Sequence, residues 1–331
     1  MKAVLLSDTH LGLYKASDMY HEVTLNLFKS VVDTCERNNI DTIIHLGDWF
    51  HNRTYISLKT IDYALEISDL LAGYNVYIIV GNHDTFYKTQ IEPTSLNIYN
   101  KINNINIIKA PTVIDNITLV PWSTQYTEDD FNKMNTDYLF GHLGIDGFMM
   151  NTYYKFTGGL PQSIFKKFKR VLLGHFHLPS TIGNIEYIGA PYQQRFGDIG
   201  DRGYYIFDDG ELEFIEFTGA PKYVKVLTEA TITKQEIEGN IVNLIYEKDY
   251  GKTENNNHSD RIKELNPLQL YTDFSNISTD DTTDDIKPIS KPTDSIELLY
   301  SFIDTLSFDS YPNIKIPMLK KIITSLTDEI K

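Results

Sequence analysis

Along the first two-thirds of the chain, short β-branched runs alternate with amphipathic segments, the pattern of an α/β domain or a sheet sandwich. Five runs share one form: an apolar stretch that stops abruptly at polar, metal-competent residues. They are VLLSDTH ending at His10, TIIHLGDWFH at His51, VYIIVGNHD at Asp84, YLFGH at His142 and VLLGHFH at His177. Four of these ends carry glycine directly before a polar group, at Gly47, Gly81, Gly141 and Gly174, which lets a strand bend and its backbone approach a ligand. In open α/β sheets the loops leaving the carboxyl ends of neighbouring strands meet in one crevice, so residues distant in sequence can share an ion. Val23, Leu27, Val31 and Val32 in one segment, and Leu58, Ile61, Leu65 and Ile67 in another, predict crossover helices. The strands they join are then parallel.

Strand-like runs return after Gly189 as GYYIFDDGELEFIEF, where Asp209-Gly210 predicts a hairpin, and a first domain is placed at 1–220. Residues 221–274 mix short strands with the stretch Asn255 to Asn257 and hold no further ligand cluster, as a small α+β capping domain would. The segment 275–294 carries ISTDDTTDDIKPISKPT, too poor in large apolar side chains to order itself, and reads as a flexible acidic linker. Over 295–331, Ile296, Leu299, Phe302, Ile303 and Leu306, then Leu319, Ile322, Ile323, Leu326 and Ile330, fall at helical spacing around Tyr311-Pro312-Asn313. Two short helices on a tether bury little alone, so this helix-loop-helix tail points to a partner protein. Folding back onto the capping domain is the alternative.

Composition narrows the classes. With 331 residues, 41% hydrophobic, 19 Gly and 12 Pro, the chain is an ordinary folding protein rather than a fibrous or wholly disordered one. No run approaches the roughly 20 apolar residues of a membrane span, and Asp8 cuts short the apolar start. The expectation is a protein without signal peptide or membrane anchor, cytoplasmic in setting. The single cysteine, Cys35, excludes an intrachain disulfide and a thiolate cluster, and reads as buried filler. Any metal site must therefore draw on the nine histidines, 45 acidic residues and amides. A net charge of −15 opposes nucleic-acid binding in general, although cations in a carboxylate-lined site invert the field locally.

Six of the nine histidines, His10, His51, His83, His142, His175 and His177, lie at the polar ends of the five runs, together with Asp8, Asp48, Asn82 and Asp84. The ordered series D-x-H, G-D-x-x-H, G-N-H-D, G-H and G-H-x-H predicts a dinuclear metal site. Two divalent ions held about 3.5–4 Å apart need a bridging carboxylate with nitrogen and oxygen ligands, and Asp48 suits the bridge. Mixed imidazole and carboxylate ligation favours manganese, iron or zinc over magnesium.

The series resembles the calcineurin-like metallophosphoesterases over roughly residues 1–220, whose fold is a β-sandwich flanked by helices. GDWFHNR at 47–53 is similar to the GD-x-F-H-x-R form of SbcD-type nuclease subunits, and YIGAPYQQRFGDIGDRGYYIFD resembles the nuclease subunit of T-even phage recombination complexes. The resemblance implies that Asp8, His10, Asp48 and His177 hold one metal, and that Asp48, Asn82, His142 and His175 hold the other. His83 is then the acid that protonates the leaving 3′ oxygen, Asp84 orients its ring, and His51 positions the scissile phosphate. It also implies manganese, 3′-to-5′ exonuclease action on duplex ends, endonuclease action on single strands, a homodimer, and an SbcC-type coiled-coil ATPase bound through 295–331.

Other readings stay open. A phosphatase or cyclic-nucleotide phosphodiesterase shares the ligand series, and a non-catalytic scaffold shares the fold. Asp84 can serve as a helix N-cap, and His51 as a surface or supporting histidine. His21, His45 and His258 read as structural or solvated, Trp49 as core or rim packing, and Arg195 and Arg202 as phosphate contacts or ordinary surface arginines.

Overall fold

The computed structural model describes residues 1–87, 89–150 and 154–275. Its first half runs through β1 (Lys2–Leu6), the one-turn α1 (Leu13–Ala16), α2 (Asp18–Asn38), β2 (Thr42–His45), α3 (Leu58–Leu70), β3 (Asn75–Ile79) and β4 (Ile105–Ile108). The four strands lie side by side and parallel, as the helical crossovers require. Next come β5 (Thr112–Ile114), β6 (Ile117–Val120), α4 (Glu128–Asn132), β7 (Tyr138–His142), β8 (Arg170–Gly174), β9 (Ser180–Ile182) and β10 (Ile185–Tyr187). They build a second sheet in the order β5-β6-β7-β8-β10-β9. β11 (Gly203–Asp208) and β12 (Glu211–Glu216) return to the edge of the first sheet, completing the order β12-β11-β1-β2-β3-β4. The expected hairpin joins them: Asp209 and Gly210 have φ of 47° and 104°, the left-handed pair that a tight two-residue connection demands.

The two six-stranded sheets form a sandwich. Ala3, Leu5, Ile44 and Leu46 of the first meet Leu119, Phe140 and Leu172 of the second in an apolar layer. The outer face of the first sheet is covered by α2 and α3, with Val4, Leu6, Leu27, Phe28 and Val31 in one cluster. Phe131, Phe148 and Phe165 cover the second sheet. Strands buried on both faces read as unbroken apolar runs, which is why VLL and TII show no alternation.

The helices form where expected, with one shift of face. In α2, Val23, Leu27 and Val31 are buried. In α3, capped by Ser57 Oγ accepting the Thr60 N–H, the buried stripe is Thr60, Ala64, Ile67 and Ser68, while Leu58 is 82% and Leu65 44% exposed. The expected apolar face thus points partly outward. The reason is local: Thr60 bonds His21 of α2 at 3.0 Å, so the contact between the helices runs through small and polar side chains.

A third sheet follows, with β13 (Tyr223–Leu227), α5 (Lys234–Ile237), β14 (Ile241–Ile245), α6 (Lys252–Lys263) and β15 (Gln269–Asp273). Its strands are parallel, and Val226, Ile237, Leu244, Tyr246 and Ile262 close a core of their own. Asn255 to Asn257 lie within α6. Tyr223 ties this sheet to the sandwich: its N–H donates to Gln193 Oε1 at 2.7 Å and its hydroxyl meets that of Tyr20. Met1–Ile277 cluster as one compact unit. The linker and helix-loop-helix expected at 275–294 and 295–331 lie outside the described residues, Ser275 apart.

Gly174 shows how close the sheets approach. A Cβ there would stand 2.0 Å from Ser7 Oγ and 2.6 Å from the Leu46 carbonyl, both on the opposing sheet. Gly174→Ala is expected to cost about 1–3 kcal/mol, read as a lowered Tm in thermal denaturation; an unchanged Tm contradicts this packing.

Candidate metal centre

The centre sits where the strand ends of both sheets meet. Asp8 and His10 follow β1, Asp48 follows β2, Asn82 and His83 follow β3, His142 ends β7, and His175 and His177 follow β8. The chain turns sharply at each exit. Asp8, His10, Asp48 and His175 have φ of 53°, 46°, 56° and 101°, left-handed values that L-residues rarely adopt. Backbone bonds hold the strain: the Asp8 N–H donates to the Gly47 carbonyl at 3.0 Å and the His10 N–H to that of Asp48 at 3.1 Å.

All seven residues expected as ligands converge. His10 Nε2 lies 3.1 Å from His177 Nε2, and His177 Nε2 lies 3.9 Å from Asp8 Oδ1. Asn82 Oδ1 stands 3.0 Å from His142 Nε2 and 2.8 Å from His175 Nδ1. Between the two groups, Asp48 Oδ2 is 3.4 Å from His142 Nε2 and 3.8 Å from His10 Nε2, the place of a bridge. Asp8 and Asp48 are buried, and among the described residues their ion pairs are with histidines alone. Buried carboxylates with no lysine or arginine beside them need another cation. The donor set, imidazole nitrogens mixed with carboxylate and amide oxygens, fits two divalent transition ions.

Outer contacts orient the rings, as around most metal-binding histidines. His142 Nδ1 donates to the Leu46 carbonyl at 2.8 Å, turning Nε2 to the centre. His177 Nδ1 lies 3.7 Å from Asp198 Oδ2, and Asp198 also accepts the Gln194 N–H at 3.0 Å. Gln194 Nε2 in turn donates to the Asp8 carbonyl at 2.7 Å. Sequence reasoning missed Asp198 and Gln194. Both lie in the YIGAPYQQRFGDIGDRGYYIFD stretch, but nothing local separates Asp198 from Asp201.

The electrostatics follow from burial. Burial pushes the Asp8 carboxyl up and holds His10 well below its usual value, and it takes His175 down to about 3. Burial also opposes the charged forms of Asp48 and His142, but their mutual attraction wins: Asp48 is held well below the carboxylate range and His142 is raised to about 9.

His83 and His51 line the same place, and Asp84 is the one correction. The His83 ring donates from Nδ1 to the His51 carbonyl at 2.8 Å, and the His83 backbone N–H donates to Asp48 Oδ1 at 2.7 Å. Asp84 accepts instead from the backbone N–H groups of Gly81 at 2.9 Å, Phe50 at 2.9 Å and Trp49 at 3.2 Å. No hydrogen bond to the His83 ring is among its contacts. A side chain one residue away is committed to stitching the two loops together, so the ring takes its partner from the loop opposite. Burial, then the charge of Asp48, pushes the Asp84 carboxyl up to about 7, against the pull of the three donors.

Of the remaining residues, Trp49 is core, packed on Phe28, His45 and Tyr99. His45 and His21 are buried and bonded to Thr9 and Thr60. Arg202 is also buried, donating to the His177 and Ile199 carbonyls, so it is neither a surface arginine nor a phosphate contact. Arg195 pairs with Asp198 at 3.1 Å and lines a cleft of about 770 Å³ that opens over the centre. One wall of the cleft is the left-handed turn of α1, where Tyr14, Lys15 and Ala16 have φ of 49°, 57° and 60° and Tyr14 donates to the Gln194 carbonyl at 2.5 Å.

Residues 1–207 match the family described as calcineurin-like phosphoesterase, and the chain belongs to that family. A particular relative is exonuclease subunit 1 of Enterobacteria phage T4, 33% identical over 229 residues that cover 66% of this chain and 67% of that one. Another is the SbcD component of the nuclease SbcCD from Staphylococcus epidermidis, 26% identical over 298 residues and 77% of each chain. The resemblance to SbcD-type and T-even phage subunits is thereby borne out. Among solved structures, the Pseudomonas putida nuclease MPE aligns at 18% identity with a TM-score of 0.31, covering 56% of this chain and 66%, just under two thirds, of that one.

Loading of the candidate centre with metal is expected to displace protons. Because His142 is raised to about 9, its ring is protonated at neutral pH until an ion binds, so apparent affinity should climb as pH rises toward about 9 and fall as pH drops. Calorimetry of manganese binding in buffers of different ionisation enthalpy should show proton release near pH 7.5; heat independent of the buffer contradicts the raised value.

Proposed function

We propose that the chain is a divalent-metal-dependent DNA nuclease, the phosphodiesterase subunit of an SbcCD-type recombination complex. The observation that carries this reading is the convergence of Asp8, His10, Asp48 and His177 with Asn82, His142 and His175 around the Asp48 carboxylate. The names of the two relatives, an exonuclease subunit and a nuclease subunit, support DNA as substrate. Manganese is the proposed ion, with 3′-to-5′ exonuclease action on duplex ends and endonuclease action on single strands.

Bound in the two positions, the ions supply charge for the phosphate oxygens and lower the pKa of an attacking water. The chain's own residues do the rest. The cleft seats the strand over the centre, with Arg195 on its wall. His83, its Nδ1 committed to the His51 carbonyl, offers Nε2 to carry a proton to the leaving 3′ oxygen. His51 stands beside it, ring centroids 5.7 Å apart and nearly parallel, placed to touch the scissile phosphate. Asp84 fixes the loops that carry Asp48 and His83, so it acts on geometry.

Partners follow from two faces. Exposed Leu58 and Leu65, seven residues apart on α3, give the nuclease domain an apolar stripe for a homodimer. The helical spacing of apolar residues over 295–331, outside the described residues, is the proposed contact for an SbcC-type ATPase, in the host cytoplasm if the chain is phage-encoded. With a net charge of −15, the chain depends on that partner to hold DNA firmly.

Purified chain with manganese should degrade labelled linear duplex and circular single-stranded DNA. Asp48→Ala should abolish cleavage, and His83→Ala should lower it by roughly 10²–10⁴-fold while both ions still bind. Hydrolysis of a small chromogenic phosphodiester with neither DNA cut, even beside the ATPase, would favour a phosphatase or cyclic-nucleotide phosphodiesterase. Sedimentation should show dimer at micromolar concentration that Leu58→Asp disperses, and deletion of 295–331 should end ATPase binding; a wild-type monomer or undiminished binding contradicts the respective contact.

A further inference from the structure

Beside the two ligand groups lies a third cluster made only of imidazoles. One nitrogen each of His10, His51 and His83 falls within 4.8 Å of the other two. The rings meet pairwise, with centroids 5.3 Å apart for His10 and His51, 4.7 Å for His10 and His83, and 5.7 Å for His51 and His83. His10 Nδ1 and His51 Nδ1 are 3.4 Å apart. Two nitrogens bound to one tetrahedral ion at about 2.0–2.1 Å stand roughly 3.3 Å apart, so the pair is already at ligand spacing. At His83 the His51 carbonyl takes the Nδ1 proton, which leaves the lone pair on Nε2.

We propose that His10, His51 and His83 form a further cation site for a nitrogen-preferring divalent ion, copper(II) or zinc, and that filling it disables the dinuclear centre by withdrawing His10. Three neutral imidazoles and no carboxylate make a softer donor set than either group at the centre. Those groups offer two imidazoles each, His10 with His177 and His142 with His175, beside oxygen ligands. His10 belongs to both clusters, and a neutral imidazole has a single lone pair. As the Nδ1–H tautomer it presents Nε2 toward His177 and Asp48. As the Nε2–H tautomer it presents Nδ1 toward His51, with Asp48 Oδ2 at 3.8 Å facing the moved proton. The ring therefore serves one cluster at a time. His51 and His83 are half-buried and line the open cleft, which gives the ion a way in.

The inhibitory consequence rests on the nuclease reading, whereas the site itself stands on the three rings, so the test reads copper without DNA. The full chain is titrated with copper(II) and followed by electron paramagnetic resonance, wild type beside Asp48→Asn and His51→Ala. Asp48→Asn removes the bridging charge but keeps an oxygen to accept the His83 N–H. The proposal expects a copper signal with three imidazole nitrogens in both wild type and Asp48→Asn, beside any two-nitrogen signal from the His142 and His175 group. It expects binding in His51→Ala to weaken by more than the roughly 10–100-fold that loss of an outer contact costs a metal site. In manganese-loaded wild type, that copper should release one manganese. Absence of a three-nitrogen signal in wild type, or its loss in Asp48→Asn but not in His51→Ala, overturns the proposal and leaves His51 as the acceptor of the His10 proton. Cleavage of DNA that persists with copper at the three-nitrogen site overturns the inhibition alone.

Discussion

The structure turns on the burial of two carboxylates, Asp8 and Asp48, at the strand ends of two sheets packed on each other through an apolar layer. An ionised carboxylate in such a place costs several kcal/mol unless paired, and here the only ionic partners among the described residues are imidazoles. Burial takes His175 down to about 3 and holds His10 well below its usual value, so these two serve better as ligands than as counter-charges, while His142, raised to about 9, carries the charge opposite Asp48. The arrangement is coherent as a cradle for cations and poorly compensated as anything else.

Everything around the cradle serves to bring five strand ends within reach of one another. Parallel pairing of β1 to β3 puts the exits after Leu6, His45 and Ile79 on one edge, and β7 and β8 supply two more from the facing sheet. The close approach needs glycine at Gly81, where a Cβ would stand 2.1 Å from the Asp48 nitrogen, and left-handed turns at Asp8, His10, Asp48 and His175. Asp84 draws the loops at 48–51 and 81–84 together through three backbone donors. The third sheet reaches the rim through hydroxyls: Tyr223 bonds Tyr20 and Tyr14, and Tyr14 bonds the carbonyl of Gln194, whose side chain holds the Asp8 carbonyl.

Much of this was legible in the sequence, for a physical reason. Strands buried on both faces leave continuous apolar runs, and a ligand at a strand end interrupts such a run visibly, so VLLSDTH and VLLGHFH declare both strand and site. The Asp209-Gly210 turn is equally local. What escaped depends on three-dimensional partners. The register of α3 is set by His21 meeting Thr60, which no periodicity shows. Asp198 gains its place only because β11 returns beside β1 and carries the preceding loop to His177. Asp84, adjacent to His83, bonds the opposite loop because peptide geometry there points its carboxylate at Trp49 and Phe50. Arg202 reads in the sequence as a phosphate contact or a surface arginine and is buried, donating to the His177 carbonyl.

The central claim is that two ions share the Asp48 carboxylate. The most direct measurement is a crystal of the chain grown with manganese, with anomalous diffraction collected at the manganese edge. The account predicts two peaks about 3.5–4 Å apart, one among Asp8, His10 and His177, the other among Asn82, His142 and His175, with Asp48 between them. A single peak, or two peaks that leave Asp48 without a metal neighbour, would contradict it.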